Sequence, residues 1–135
     1  MARAAELVGD RWMLLILREA FYGVQRYDDM LQDLGLSRAI LTDRLNRLTA
    51  LGILVRFPYR EVGDRERHAY RLTEPGRALA PVMIALTQWG EAHVTGEPAP
   101  IAVCDRETGR DVRLELVDAA GKVVAMEDAV MRRRP

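Results

Sequence analysis

The sequence predicts an α+β fold, and three observations carry that prediction. Helical patterns fill the first fifty residues. The apolar period then changes to two just after Gly52. A second β-rich stretch follows the Pro/Gly-rich linker Gly96-Glu-Pro-Ala-Pro100. The expected architecture is a helix-turn-helix followed by a β-hairpin, with flanking helices and a small C-terminal hairpin or meander. The linker divides the chain into a main domain, residues 1–96, and an extension, residues 97–135. With 135 residues, 49% of them apolar, the chain has enough for a real core.

Taken in order, residues 3–22 read as one helix or two short ones meeting near Gly9-Asp10. Trp12, Leu15, Ile16 and Ala20 share a face, while Arg11, Arg18 and Glu19 supply polar positions. Nearly every position from Met13 to Leu17 is apolar, so Met13 or Leu14 is free to face a second subunit. Residues 24–27 form an extended link. Asp28 or Asp29 then starts a brief helix through Leu34, and Gly35 makes the turn.

The next helix, Ser37–Leu51, organises the domain. Ser37 is suited to N-capping, Leu41, Leu45, Leu48 and Leu51 form one apolar stripe, and Gly52 is the stop. Ile53–Arg60 and His68–Leu72 are strand-like and joined by a charged connection with Gly63-Asp64 as its turn. A hairpin placed there is a wing. One further helix is expected from the N-cap Thr73 through Trp89, with no charge between Ala78 and Gly90. In the extension, 101–104, 112–117 and 122–125 are β-like, and the final Arg132-Arg-Arg-Pro135 reads as a solvated tail.

Lys+Arg and Asp+Glu both total 20, so net charge selects no partner. Its distribution does. Between Ser37 and Arg77 nine Arg face five acids, an excess of four positive charges. Between Glu97 and Met131 eight acids face four bases, an excess of four negative ones. The first segment suits phosphate. Lys122 is the only lysine, an arginine bias that a GC-rich genome also produces. The single Cys104 excludes an internal disulfide and a thiolate-rich metal site, and reads as a small apolar strand residue, with a redox-sensing thiol as the alternative. The start of the chain reads as neither signal peptide nor membrane span, so a cytoplasmic protein is expected.

Away from its apolar stripe the Ser37–Leu51 helix carries Arg38, Ala39, Thr42, Asp43, Asn46 and Arg47, a face able to enter a DNA major groove. Arg38, Ala39, Thr42, Asp43 and Asn46 are the candidates nearest the bases, Arg44 and Arg47 the candidates for phosphate, and Ser37 at the helix start a further DNA-binding candidate. From the wing, Arg60, Arg65, Arg67 and His68 can reach backbone or minor groove. Leu7, Trp12, Met13, Val82, Met83, Leu86 and Trp89 are candidates for a dimer interface.

The string Gly9-Asp-Arg-Trp-Met-Leu-Leu-Ile-Leu-Arg-Glu19 resembles the start of the HxlR-type winged helix-turn-helix regulators. The resemblance continues through Arg26-Tyr27 (usually Arg-Phe), Gly35-Leu-Ser-Arg38, Leu41-Thr-Asp-Arg-Leu45, Gly52-Ile-Leu-Val-Arg56, Pro58-Tyr-Arg60, Tyr70-Arg-Leu-Thr73 and Trp89-Gly90, covering residues 6–94. It implies a homodimeric bacterial transcription factor that binds double-stranded DNA at an inverted repeat, dimerising through its first and last helices. Three departures stand out. No cysteine precedes the first helix, so the oxidant sensing of some members is not carried over. The wing is about two residues longer than usual. The extension resembles a zinc-ribbon-like tail that keeps only Cys104, so no metal and no cofactor are expected.

No nucleophile–base pair, phosphate-binding Gly loop or paired His ligand points to an enzyme. Two other readings stand beside the DNA-binding one. One is an effector-gated regulator with an apolar small-molecule pocket at the dimer helices and extension. The other is a winged-helix module that binds a protein. The wing and recognition-helix arginines favour DNA.

Overall fold

The computed structural model describes residues 2–63 and 66–133. Arg65 of the expected wing set and the end of the terminal arginine run lie outside the described residues. The chain forms two compact units, Met1–Met83 and Ile84–Pro135. This boundary falls inside the last long helix, earlier than the linker that sequence composition singles out.

In the first unit, α1 (Ala2–Val8) and α2 (Arg11–Phe21) meet at Gly9-Asp10. Asp10 caps α2, its Oδ1 accepting the N–H groups of Trp12 (3.1 Å) and Met13 (3.2 Å). α3 (Tyr27–Leu34) starts a residue ahead of the expected aspartates and ends at Gly35, whose φ of 62° is left-handed. α4 (Arg38–Ala50) is the organising helix, with Ser37 as N-cap and Leu51 as C-cap. Ser37 Oγ accepts from the Ile40 N–H at 3.3 Å. At the other end the Gly52 N–H donates to the Thr49 carbonyl (3.0 Å) and the Ile53 N–H to that of Leu48 (2.9 Å). That is a Schellman turn, and Leu48 and Ile53 seal it from below as buried neighbours.

β1 (Leu54–Tyr59) and β2 (Arg67–Leu72) pair antiparallel, Leu54 opposite Leu72 and Tyr59 opposite Arg67. Pro58 is tolerated because β1 is an edge strand. The 24–27 link adds a short third edge: Arg26 bridges Ala69, and the Tyr70 N–H donates to the Gln25 carbonyl at 2.8 Å.

Met13, Ile16 and Leu17 of α2, Met30 of α3, Leu41, Leu45 and Leu48 of α4 and Leu54 of β1 are fully buried together. Three expectations are corrected here. Met13 lies inside this core with no exposed surface, so it has nothing to offer a second subunit. Leu51 leaves the stripe: the helix ends at Ala50, the 3.6-residue phase stops with it, and Leu51 is 37% exposed. Glu19, expected at a polar position, is 5% exposed and accepts from Arg18 Nε at 2.9 Å.

The helix expected from Thr73 through Trp89 is two helices, α5 (Glu74–Arg77) and α6 (Ala80–Gly90). Pro81 explains the break. It has no N–H to give the Arg77 carbonyl, and its ring crowds that turn. Thr73 caps α5, accepting from the Gly76 N–H (3.1 Å) while donating to the Ile53 carbonyl (3.0 Å). Gly76 is obligatory for this close docking, since a β-carbon there would sit 2.2 Å from the Ile53 carbonyl oxygen.

The second unit holds the end of α6, one π-turn (Glu91–Thr95), β3 (Leu116–Val117) paired with β4 (Val123–Val124), and a 3₁₀ turn (Met126–Asp128). The expected strand 101–104 shrinks to a single bridge, Cys104 to Asp111. An aspartate sets each of the two turns. Asp105 accepts from the N–H groups of Glu107 (3.1 Å) and Thr108 (2.7 Å), and Asp118 from those of Ala120 (2.8 Å) and Lys122 (3.0 Å).

Candidate nucleic-acid interface

The packing of α4 decides which of its side chains are outside. With Leu41, Leu45 and Leu48 in the core, the helix turns Arg38, Ala39, Thr42, Asp43, Asn46 and Arg47 outward, and all six are exposed, as is Ser37. This is the set proposed from the 3.6-residue period, except for Arg44. Arg44 is only 24% exposed and committed to two carboxylates. Its Nε and Nη2 form a fork onto Asp10 at 3.0 and 3.1 Å, and Nη1 bonds Asp43. Arg44, expected beside Arg47 as a candidate for phosphate, is thus already paired within the protein, whereas Arg47 is exposed. The Arg44 guanidinium holds the Asp10 carboxyl below its ordinary value of 3.8, against a smaller opposing push from burial.

Between α4 and the hairpin opens a groove of about 580 Å³, its walls including Tyr27, Arg38, Thr42, Asn46, Arg56 and His68. Two residues at the start of α3 tie the groove together, and sequence reasoning missed both functions. The Asp28 carboxylate meets Arg67 of β2 at 3.1 Å and Arg38 of α4 at 3.7 Å, linking wing to recognition helix. The Tyr27 hydroxyl lies 3.1 Å from the Arg38 carbonyl oxygen and 3.0 Å from Thr42 Oγ1. The Arg38 guanidinium sits 5.9 Å over the Tyr27 ring. A Tyr-Asp pair at a helix start has a sufficient local explanation, capping and core packing, so only the fold reveals that both side chains reach across to α4.

The wing places Arg60 and His68 on its exposed surface, with His68 opposite Pro58. Arg67 is exposed as well, though held by Asp28. Arg26 pairs with Glu61 at 2.6 Å and lies 5.0 Å over the Tyr59 ring, bracing the outer end of β1.

Of the candidates for a dimer interface, Leu7, Val82, Leu86 and Trp89 are exposed by 46–58%, whereas Trp12 and Met83 are half-buried against the core. Among the described residues no group of three or more His, Cys, Asp or Glu is placed to hold a metal ion, and no helix is long and apolar enough to cross a membrane.

Comparison with known proteins agrees with this geometry. A family model described as HxlR-like helix-turn-helix matches residues 7–98. An uncharacterized HTH-type transcriptional regulator of Mycobacterium tuberculosis is 48% identical over 100 residues, which is 74% of this chain and 62% of that protein. The chain thus spans less than two thirds of the length of that relative. A second HTH-type regulator, from Synechocystis, is 40% identical over 86 residues, covering 63% of this chain and 62% of its own length. Among solved structures, PA1607, described as a candidate transcription factor, superposes with a TM-score of 0.82 at 35% identity, covering 98% of this chain and 93% of its own. The redox regulator HypR in its reduced form gives 0.62 at 26% identity, over 70% of this chain and 93% of its own.

Proposed function

The chain belongs to the HxlR-like helix-turn-helix family, and from that premise we propose that it is a homodimeric, sequence-specific DNA-binding transcriptional regulator of the cytoplasm, without catalytic activity. One observation carries the reading. The face of α4 that the core leaves outside is the face bearing Arg38, Thr42, Asn46 and Arg47, and it opens onto a groove whose other wall is an arginine-bearing hairpin. The helix supplies groups for base edges, and the hairpin supplies charge for the flanking backbone. Two such helices related by a two-fold axis would meet successive major grooves about 34–36 Å apart, which calls for an inverted-repeat operator. The exposed Leu7, Val82, Leu86 and Trp89 support a second copy as the partner.

The test is selection of bound fragments from genomic DNA by the purified chain at two salt concentrations, with its mass in solution. An enriched inverted repeat bound by a dimer is expected. Equal binding to all DNA, or none, rejects the reading.

Two substitutions separate the roles on α4. Arg47→Ala is expected to weaken every sequence alike, about tenfold, and to reduce the slope of log affinity against log salt by about one. Asn46→Ala is expected to leave that slope alone and relax preference at one base pair, at a cost of about 1–3 kcal/mol on the best site. Titrations of cognate and scrambled duplexes across a salt series decide it; equal losses on both duplexes for Asn46→Ala would remove it from the base-reading set.

A further inference from the structure

We propose that Tyr27 is a specificity-determining residue: by taking the Thr42 hydroxyl proton it makes Thr42 an acceptor-only reader of bases. This deepens, and rests on, the DNA-binding reading above.

A tyrosine hydroxyl has one proton and two lone pairs, and a carbonyl oxygen can only accept. The Tyr27 hydroxyl lies 3.1 Å from the Arg38 carbonyl oxygen, so that contact is a hydrogen bond only with the Tyr27 proton in it. Its second contact, 3.0 Å to Thr42 Oγ1, where either hydroxyl can donate, is then best satisfied by the proton of Thr42. The opposite assignment would leave two acceptor oxygens facing each other at Arg38. Donation therefore runs Thr42 to Tyr27 to Arg38, and Thr42 is left with lone pairs and a methyl group.

Thr42 lies on the exposed face of α4, within the groove shared with Arg38 and Asn46. An acceptor at that place pairs with the amino groups of adenine N6 or cytosine N4. Its lone pairs repel the acceptors guanine O6 and N7 and thymine O4. Without the Tyr27 hydroxyl, Thr42 can turn its proton back to its own helix or outward, and so either donate or accept. Tyr27 itself need not touch DNA. It acts through Thr42 as a positioning residue.

The experiment selects from randomised duplex DNA with the full chain and with Tyr27→Phe, Thr42→Val and the double variant, each checked for unchanged melting temperature. The expected result is a wild-type motif with an amino-bearing base at one position. Tyr27→Phe should raise guanine or thymine there by roughly two- to tenfold relative to wild type. In the Thr42→Val background the same substitution should change nothing. A wild-type motif that Tyr27→Phe leaves intact, or weakens uniformly at every position, overturns the proposal. So does a Tyr27→Phe shift that persists without the Thr42 hydroxyl, because Tyr27 would then act through another group. If wild type selects no motif, the DNA-binding reading falls first and this inference with it.

Discussion

Leu45→Ala is expected to lower the unfolding free energy of the first unit by about 2–5 kcal/mol. Leu45 has no exposed surface and sits mid-way along α4, between Leu41 and Leu48 and in one core with Met13, Ile16, Leu17 and Met30. Truncation removes the transfer energy of the lost carbons and leaves a cavity that the surrounding structure closes only in part. A domain of this size holds about 5–15 kcal/mol in all, so the variant would sit near its folding threshold. Leu51→Ala is the internal control, since Leu51 is 37% exposed at the helix end and should cost under about 1 kcal/mol. Urea denaturation at fixed protein concentration reads both. A Leu45 loss no larger than that of Leu51 would mean that α4 is not clamped on the core as described.

The second large effect is at Asp10. Asp10→Ala is expected to cost about 2–3 kcal/mol, because one carboxylate both caps α2 and takes the forked guanidinium of Arg44 from α4. The pH dependence has a definite sign. The folded pKa of Asp10 lies below 3.8, chiefly through the Arg44 hydrogen bonds. The stability it contributes is therefore fully present above the unfolded value and lost as pH falls through the lower folded one. Between neutral pH and about pH 3, wild type should lose more stability than Asp10→Ala, so their unfolding midpoints converge. Parallel midpoints across that range would show that the pair contributes nothing to acid stability. The measurement is thermal unfolding of both proteins at a series of pH values.

The sequence carried most of the fold, for physical reasons that can be named. α4 was legible to its caps because a serine, three leucines in phase and a glycine in the left-handed region all specify the same helix. The wing was legible from the change of period at Gly52. What failed was information that is not local. Pro81 stands among apolar residues that continue a helical pattern, and its missing N–H and its ring split α5 from α6. Arg44 looks like Arg47 in sequence, both being arginines beside the apolar stripe. Their fates differ because Asp10, thirty-four residues earlier, reaches one of them and not the other. The same holds for Tyr27 and Asp28, whose long-range partners on α4 and β2 exist only once three elements have met.

The Asp28 bridge has a consequence for how such a protein would search a genome. Arg38 and Arg67 are already partnered by a carboxylate before any DNA arrives. Moving either arginine onto a phosphate exchanges one ion pair for another and leaves Asp28 facing a polyanion, so the net electrostatic gain is small. Random DNA can offer little else. An operator also offers base edges to α4, and only there does the exchange become favourable. On the DNA-binding reading proposed above, a carboxylate planted between two arginines would lower the background of wrong sites and leave the right one to be won by base contacts.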